Sequence, residues 1–468
     1  MVRNILSKVK YIHFYPLLFS ISKRFSDLLL KFTKKFIQDE RMGILDWIPL
    51  IEEMSAHMNT SMFKMFEHEY KLVTKSVNER NLRVDSLILT GSFPYTGLYL
   101  GYIYKCPIIL FSNIGVGMHM TSLVGNHENP SYQADISMPF IEPFTFKQRL
   151  INTILYYMGE KWRFEDKFML PLLEEKAGMS YQDVEDVYSN VSLVLQASHI
   201  VTHNAQVLSP NVVDVGGIHC TPAKSLPPDL KELMDNHTEG VVYVSFGSAI
   251  QPTDMSSKRK EAFLETFRKL KYQIIWKWNE DSIPDLPPNV ILTKWVPQQD
   301  LLAHPNLKAF VTHGGLLSLQ EAIYHRTPLV GVPLGNDQVP NILRAQQKGY
   351  AVMLDWPEFT AQGLYDAIDK AINDPEVSEN MRIANKIFLD QKESPVDRAV
   401  YWIEYIMRHN GGHFLRPKSM NLSWYEYHHV DVILLVISIL CIVIFVIVMI
   451  LVCCCRCISK RLVKQKTE

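Results

Sequence analysis

The sequence predicts an α/β protein: a pair of Rossmann-type domains with parallel sheets, followed by one C-terminal transmembrane helix. Three observations carry that expectation. From residue 241 onward strand-like and helix-like segments alternate, the pattern of a doubly wound parallel sheet with helices on both faces. Earlier, between Ser86 and Ser198, short apolar runs bounded by turn residues read as buried parallel strands. The chain then closes on an almost unbroken apolar run from Val432 to Val452. At 468 residues it is also too long for one compact core.

Composition narrows the function classes. Hydrophobic residues at 47% and charged residues at 21% are ordinary for a globular protein. A net charge of -1 gives no reason to expect nucleic acid or another polyanion as partner. Of seven cysteines only Cys106 and Cys220 lie in the body; Cys441, Cys453, Cys454, Cys455 and Cys457 crowd the end. Two body cysteines cannot build a disulfide framework, and none has metal-ligand spacing with nearby histidines, so no metal site is expected.

Residues 1 to about 80 carry apolar positions at three- and four-residue spacing through Leu28, Leu29, Phe32 and Phe36, which predicts amphipathic helices. Within them Tyr11 to Ile21 makes a poor signal peptide, because it holds His13 and Pro16 and no small-residue cleavage site follows. SLILT (86–90), PIILFS (107–112) and LVLQAS (193–198) read as strands, with a helical region from Phe146 to Glu175 between them. These segments form an N-terminal domain over residues 1–222, shortened or divergent at 1–80. Pro210 to Leu230 is rich in Gly and Pro and ends in KSLPPDL, so an interdomain linker is placed at 223–238.

The second domain, residues 239–410, reads as strands at VVYVSF (241–246), QIIWKW (273–278), VILTKW (290–295), AFVTH (309–313), PLVGVP (328–333) and AVML (351–354). Helices are expected between them, among others over Lys258–Lys269, Ser318–Tyr324 and Gln338–Lys348. A juxtamembrane segment (411–431) holds the interfacial aromatics Trp424, Tyr425 and Tyr427. The run 432–452 would extend roughly 31 Å as a helix, the thickness of a bilayer core. In the tail (453–468), Arg456, Lys460, Arg461, Lys464 and Lys466 place the C-terminus in the cytosol by the positive-inside rule, and the body in the lumen.

That orientation agrees with N-x-[ST] sequons at Asn59, Asn190, Asn236 and Asn421. Lys464 and Lys466 resemble a dilysine retrieval signal, and a solvated basic tail reads equally well. The expectation is a single-pass type I protein of the endoplasmic reticulum membrane. The cysteines at 453–457 suit palmitoylation or plain apolar filling of the leaflet boundary.

In open parallel sheets ligands bind beyond the carboxyl ends of the strands, and the chemically interesting residues cluster there. Gly247-Ser248 follows the first strand of the second domain; a glycine there lets backbone approach a phosphate, and Ser248 adds a hydroxyl. His313-Gly314-Gly315 ends a strand and opens a helix whose first turn is expected to carry Ser318 and Glu321. A diphosphate at that helix start would meet free N–H groups, the helix dipole and an imidazole. Trp295 and Gln298, read at another strand end, offer a flat ring and an amide, a pair suited to a pyrimidine base. Glu321 can accept from two ribose hydroxyls, and Asp337 and Gln338 follow the next strand where sugar hydroxyls need partners. Taken singly, each has a plainer reading: Trp295 as core, His313 as a helix cap, Glu321 as a carboxylate favoured by the dipole. Their joint arrangement around one sheet edge favours the functional reading.

The segment from Trp295 to Gln338 is similar, residue by residue, to the nucleotide-sugar-binding motif of the UDP-glycosyltransferase family, which includes the glucuronosyltransferases. The similarity runs from about Val84 to the tail, through GNHENPSY (125–132), SPVDRAVYWIEYIMRH (394–409) and WYEYHHVD (424–431), and HGGLLS is closer to invertebrate members. The resemblance implies the GT-B architecture, two Rossmann-like domains facing across a cleft, with 394–409 as a helix packing back across the domains. It implies that Trp295 stacks on uracil, Gln298 contacts base and ribose, and Glu321 holds the ribose. His313, Gly315 and Ser248 would hold the diphosphate, helped by Ser318, and Asp337 and Gln338 the donor sugar.

The implied reaction is inverting transfer of glucose or glucuronic acid from UDP-sugar, a co-substrate, to a small lipophilic acceptor, with no cofactor. Two positions depart from the motif: Leu317 stands where many members have an asparagine, and Arg326 replaces a glycine after the helix. If left-handed geometry is kept there, arginine costs about 1 kcal/mol. The family's catalytic pair is a histidine soon after the first strand and an aspartate that orients it. Thr90 occupies the aspartate position, Asp85 lies about 16 Å away along an extended chain, and His13 is the only candidate for the histidine. Two further readings follow: an inactive relative that binds UDP-sugar or associates, as a homo- or hetero-oligomer, with active paralogues, and a truncated gene product.

Overall fold

The computed structural model describes Glu79, residues 83–90, 95–115, 118–134, 138–162, Glu174, 178–247 and 255–465. His13, Ser248, Asn59, Lys466 and the amphipathic segments expected over residues 1–78 lie outside the described residues. The chain divides into two compact units at Leu415.

The first unit contains two parallel sheets. The N-terminal sheet consists of β1 (Leu87–Thr90), β2 (Ile108–Ser112), β3 (Val191–Gln196) and β4 (Val212–Asp214), in the order β1-β2-β3-β4. Around it lie α1 (Tyr95–Tyr104), α2 (Met118–Ser122), α3 (Phe146–Trp162) and α4 (Tyr181–Ser189). Ser180 starts α4 through a reciprocal capping box with Asp183, which satisfies donors at the helix start. β2 and β3 are almost wholly buried, as strands covered on both faces must be. The GNHENPSY segment serves this layer: the Asn126 side-chain oxygen accepts from the Ser209 amide at 2.7 Å, and Asn211 Nδ2 donates to the Val124 carbonyl.

Next come α5 (Pro228–Asn236), β5 (Val241–Ser245), α6 (Ser257–Lys269), β6 (Gln273–Lys277), β7 (Val290–Thr293), α7 (Gln298–Leu302), β8 (Leu307–Thr312), α8 (Leu316–His325), β9 (Leu329–Gly331), α9 (Gln338–Gln347) and β10 (Ala351–Met353). The sheet order β7-β6-β5-β8-β9-β10 is all parallel and is the Rossmann order, with the direction of winding reversing between β5 and β8. An aromatic layer fills one face: Phe263 lies 4.7 Å from Phe359 and 5.4 Å from Trp276, which lies 4.6 Å from Trp278. The buried Arg259 guanidinium stacks 5.0 Å over Trp356 and bonds to the Phe359 carbonyl, so its charge is not left unpaired.

Helices α10 (Ala361–Asn373), α11 (Pro375–Leu389) and α12 (Pro395–Arg408) complete this unit. α12 begins at the cap Ser394 and returns to the N-terminal sheet, where Ala399 and Ile406 join Leu193, Leu195 and Val213 in one core. Arg398 fixes that return by donating to the Asp214 carbonyl at 2.9 Å. Buried polar bonds tie the two sheets together: Gln320 of α8 donates to the Ala197 carbonyl at 2.6 Å and accepts from the Gly217 amide at 3.0 Å. Lys348 Nζ meets the carbonyls of Ile200, Val201 and His203 at 2.8 to 3.2 Å. Arg326 keeps the left-handed geometry (φ 61°, ψ 31°) at the end of α8. Asn385 bears on that cost: it accepts from Arg326 Nε at 2.6 Å and donates to the Ile323 and Tyr324 carbonyls, closing the helix end.

In the second unit the short helix α13 (Trp424–Tyr427) is started by a Ser423–Glu426 capping box, and α14 runs from Val430 to Gln465. Within Val430–Arg456 an 18-residue stretch has a mean hydropathy of 3.7 and no buried face, so by length and composition the helix can cross a membrane. Asn236 and Asn421 are exposed, whereas Asn190 is half-buried and its amide donates to the Cys106 carbonyl at 2.9 Å.

Candidate donor site at the sheet edge

The winding reverses between β5 and β8, the place where ligands of open parallel sheets bind, and Ser245 pairs in register with Thr312. Gly247 (φ +78°) and His313 therefore emerge side by side. A Cβ on Gly247 would lie 2.8 Å from the His313 ring, and one on Gly315 would lie 2.7 Å from its Nε2. The imidazole is thus packed between two glycine backbones. Burial first, and then the Lys277 ammonium, push the His313 pKa down to about 4, so the ring is neutral at pH 7. Its one N–H can meet either the Ser245 carbonyl, whose hydrogen bond opposes the shift, or an incoming acceptor, and the ring brings a wall rather than a charge.

Helix α8 starts at Leu316 with Gly315 as its cap and no side-chain cap. Glu321 is therefore in the second turn of α8 and not in the first, because the helix begins two residues before Ser318. Gln298 stands at the start of α7, and Trp295 lies in the loop beyond β7 rather than at its end: the strand stops at Thr293, whose hydroxyl donates to the Trp295 carbonyl at 2.9 Å. Gln298 Nε2 donates to Ser318 Oγ at 3.0 Å and to Glu321 Oε2 at 2.6 Å, so three of the expected residues form one cluster. Tyr243, stacked on Phe310, donates to Gln298 Oε1 at 3.3 Å and fixes which way the amide faces. Trp295 is 70% exposed, a large ring presented to solvent at the sheet edge. Burial raises the Glu321 pKa, and the amides of Gln298 and Gln299 oppose that rise.

On the other side of His313, Asp337 stands at the N-cap position of α9 without a side-chain cap bond, and its carboxylate accepts from Asn341 Nδ2 at 2.9 Å and from the Leu316 amide at the start of α8. Burial is the larger effect and raises its pKa to about 6. Gln338 Oε1 accepts from the Leu334 amide at 3.0 Å, which closes the loop after β9. Asn341 also donates to the Gly314 carbonyl at 3.1 Å, linking the glycine turn to Asp337.

Two polar residues of this edge were not among the sequence-level candidates. Lys277 ends β6 and donates to the Gly247 carbonyl at 3.0 Å, bringing a cation beside His313. A strand end next to β5 in a Rossmann order is the signal that marks it. Asn341 lies one helical turn beyond Asp337, and the i, i+4 spacing is its signal. In the N-terminal sheet Thr90 ends β1, and Asp85 precedes that strand, exposed and paired with Arg83 at 3.1 Å.

Two parallel sheets in one unit, the second in the Rossmann order, are those of the GT-B fold. The family model described as UDP-glucoronosyl and UDP-glucosyl transferase matches residues 6–467, and the chain belongs to that family. Among curated relatives it is 33% identical to UDP-glucosyltransferase 2 of Dactylopius coccus, over 71% of this chain and 65% of that protein. It is 34% identical to UDP-glucuronosyltransferase 2B14 of Oryctolagus cuniculus, over 74% of this chain and 66% of that one. The chain thus spans about two thirds of the length of these relatives. Among solved structures, a UDP-glucose: anthocyanidin 3-O-glucosyltransferase in complex with UDP superimposes with a TM-score of 0.52 at 15% identity, covering 77% of this chain and 82% of that one.

Proposed function

We propose that the protein transfers a hexose, glucose or glucuronic acid, from UDP-sugar to a small lipophilic acceptor with inversion at the anomeric carbon. The observation that carries this reading is the Gln298–Ser318–Glu321 cluster beside the His313-Gly314-Gly315 turn. Uracil stacks on Trp295, the ribose hydroxyls donate to Glu321, and the diphosphate meets His313, Gly315, Ser248, Ser318 and the start of α8. Lys277 supplies positive charge there. Asp337 and Gln338 take the sugar hydroxyls. The acceptor oxygen bonds to the anomeric carbon as the bond to the UDP oxygen breaks, and a base removes the acceptor proton. UDP-sugar is a co-substrate, and neither metal nor cofactor enters this scheme.

The same reading makes the chain a single-pass type I protein of the endoplasmic reticulum membrane, with a lumenal body that presents Asn236 and Asn421 to glycosylation. Support comes from the apolar stretch of α14 and from the basic residues that follow that stretch, from Arg456 to Lys466.

A second reading is favoured by Thr90 at the end of β1, where the family's orienting aspartate is expected: a UDP-sugar binder without transfer activity, acting alone or with active paralogues. Turnover of UDP-glucose and UDP-glucuronate by the full chain in microsomes, against a panel of phenols and with His313→Ala as control, separates the two. The enzyme reading expects glycoside formation that disappears in the variant. UDP binding without product supports the second.

A further inference from the structure

The loop after β4 carries a histidine that no reading above uses. His219 Nε2 lies 3.0 Å from the Leu317 carbonyl and 3.7 Å from Glu321 Oε1. Leu317 and Glu321 are four residues apart and share one face of α8, so the imidazole covers that turn of the helix. A carbonyl can only accept, so Nε2 carries the ring proton. Nδ1 is buried without a partner. A second proton there would be an unsatisfied buried donor, which keeps the ring neutral, in agreement with a pKa lowered by burial. The loop itself is held in place: Gln299 Nε2 donates to the His219 carbonyl at 3.1 Å and Gln299 Oε1 accepts from the Thr221 amide at 2.8 Å. Glu321 is thus bonded by Gln298 at Oε2, while the His219 ring lies 3.7 Å from Oε1 and holds the carbonyl one turn before it.

We propose that His219 is a positioning residue for ribose recognition, holding the Leu317–Glu321 turn of α8 in the orientation in which Glu321 accepts a ribose hydroxyl. The inference rests on the reading of Glu321 as the ribose acceptor. His219 touches no substrate in this arrangement. It acts through the carboxylate, using a loop of the N-terminal sheet to set the geometry of the donor helix.

The test is calorimetric titration of the purified full chain with UDP and with 2',3'-dideoxy-UDP, which lacks both ribose hydroxyls, read as the ratio of the two affinities. Glu321→Gln is the reference and should reduce that ratio toward one. His219→Leu should lower the ratio about three- to tenfold while leaving 2',3'-dideoxy-UDP affinity unchanged, the range of one hydrogen bond. His219→Gln, which returns an N–H near the Nε2 position, should restore it. Should His219→Leu not accumulate, His219→Asn, whose amide stops short of Leu317, gives the same readout. Equal loss of both ligands in the His219 variants would make the residue merely structural and overturn the proposal, as would an unchanged ratio. A ratio insensitive to Glu321→Gln would instead remove the reading on which the proposal stands.

Discussion

Replacing His313 by alanine is expected to weaken UDP binding about ten- to a hundredfold, with no comparable loss of fold stability. A hydrogen bond to a charged group contributes about 1.5–3 kcal/mol, and that range converts to this ratio. The ring is neutral at pH 7 because burial and the Lys277 ammonium oppose its protonation. It therefore contributes direction rather than charge, and His313→Asn, which keeps an N–H, should recover part of the loss. The packing of the ring between Gly247 and Gly315 explains why the turn tolerates no larger residue on either side. Titration of UDP into both variants checks this, with thermal unfolding as control. UDP affinity unchanged in His313→Ala would remove the imidazole from the diphosphate site.

The second large effect is a pH dependence specific to the sugar. Burial raises the Asp337 carboxyl from its ordinary 3.8 to about 6. In the free protein the contribution of this group to stability is present below the ordinary value and is lost as pH rises through 6. A hexose whose hydroxyls donate to the carboxylate favours the opposite, ionised form. UDP-glucose should therefore gain affinity relative to UDP as pH rises, by about tenfold between pH 5 and pH 7 for one coupled proton. Glu321 is also raised by burial, but it serves the ribose common to both ligands and cancels in the ratio. In Asp337→Asn the ratio should be flat. A flat ratio in the unsubstituted chain would place the sugar elsewhere.

Much of the second domain was legible because its strands are buried on both faces and so read as continuous apolar runs. The readings overshot at strand ends. VILTKW was extended to Trp295, although β7 stops at Thr293, since an aromatic residue after an apolar run resembles more strand. The exposure of Trp295 sets aside its reading as a core residue, and exposure is not written in local sequence. Helix α5 lies in the segment 223–238 read as linker, and strand β4 in the Gly- and Pro-rich stretch before it, where no strand is read. Pro228 at the first helical position and Asp229 after it are helix-start signals that the surrounding prolines obscured. β4 has only three residues, too few for any periodicity.

The site divides in the same way. His313, Ser318, Glu321, Asp337 and Gln298 were identifiable because a short segment supplies them and three strand or helix ends converge on it. Gln320 and His219 were not, because their partners lie about a hundred residues away and only the return of the N-terminal sheet brings them together. Arg326 is an intermediate case. Its left-handed backbone was foreseeable from the glycine it replaces, whereas the Asn385 amide that closes the helix end belongs to α11.

The central claim is that this sheet edge holds UDP with its base on Trp295, and tryptophan fluorescence of the full chain during UDP titration tests it most directly. Trp276, Trp278 and Trp356 are buried in the core, so they give a steady background. Saturable quenching by UDP should disappear in Trp295→Phe while calorimetry still detects binding, because phenylalanine keeps a stacking face. Quenching that survives in Trp295→Phe, or UDP that fails to bind the unsubstituted chain at all, would contradict the account.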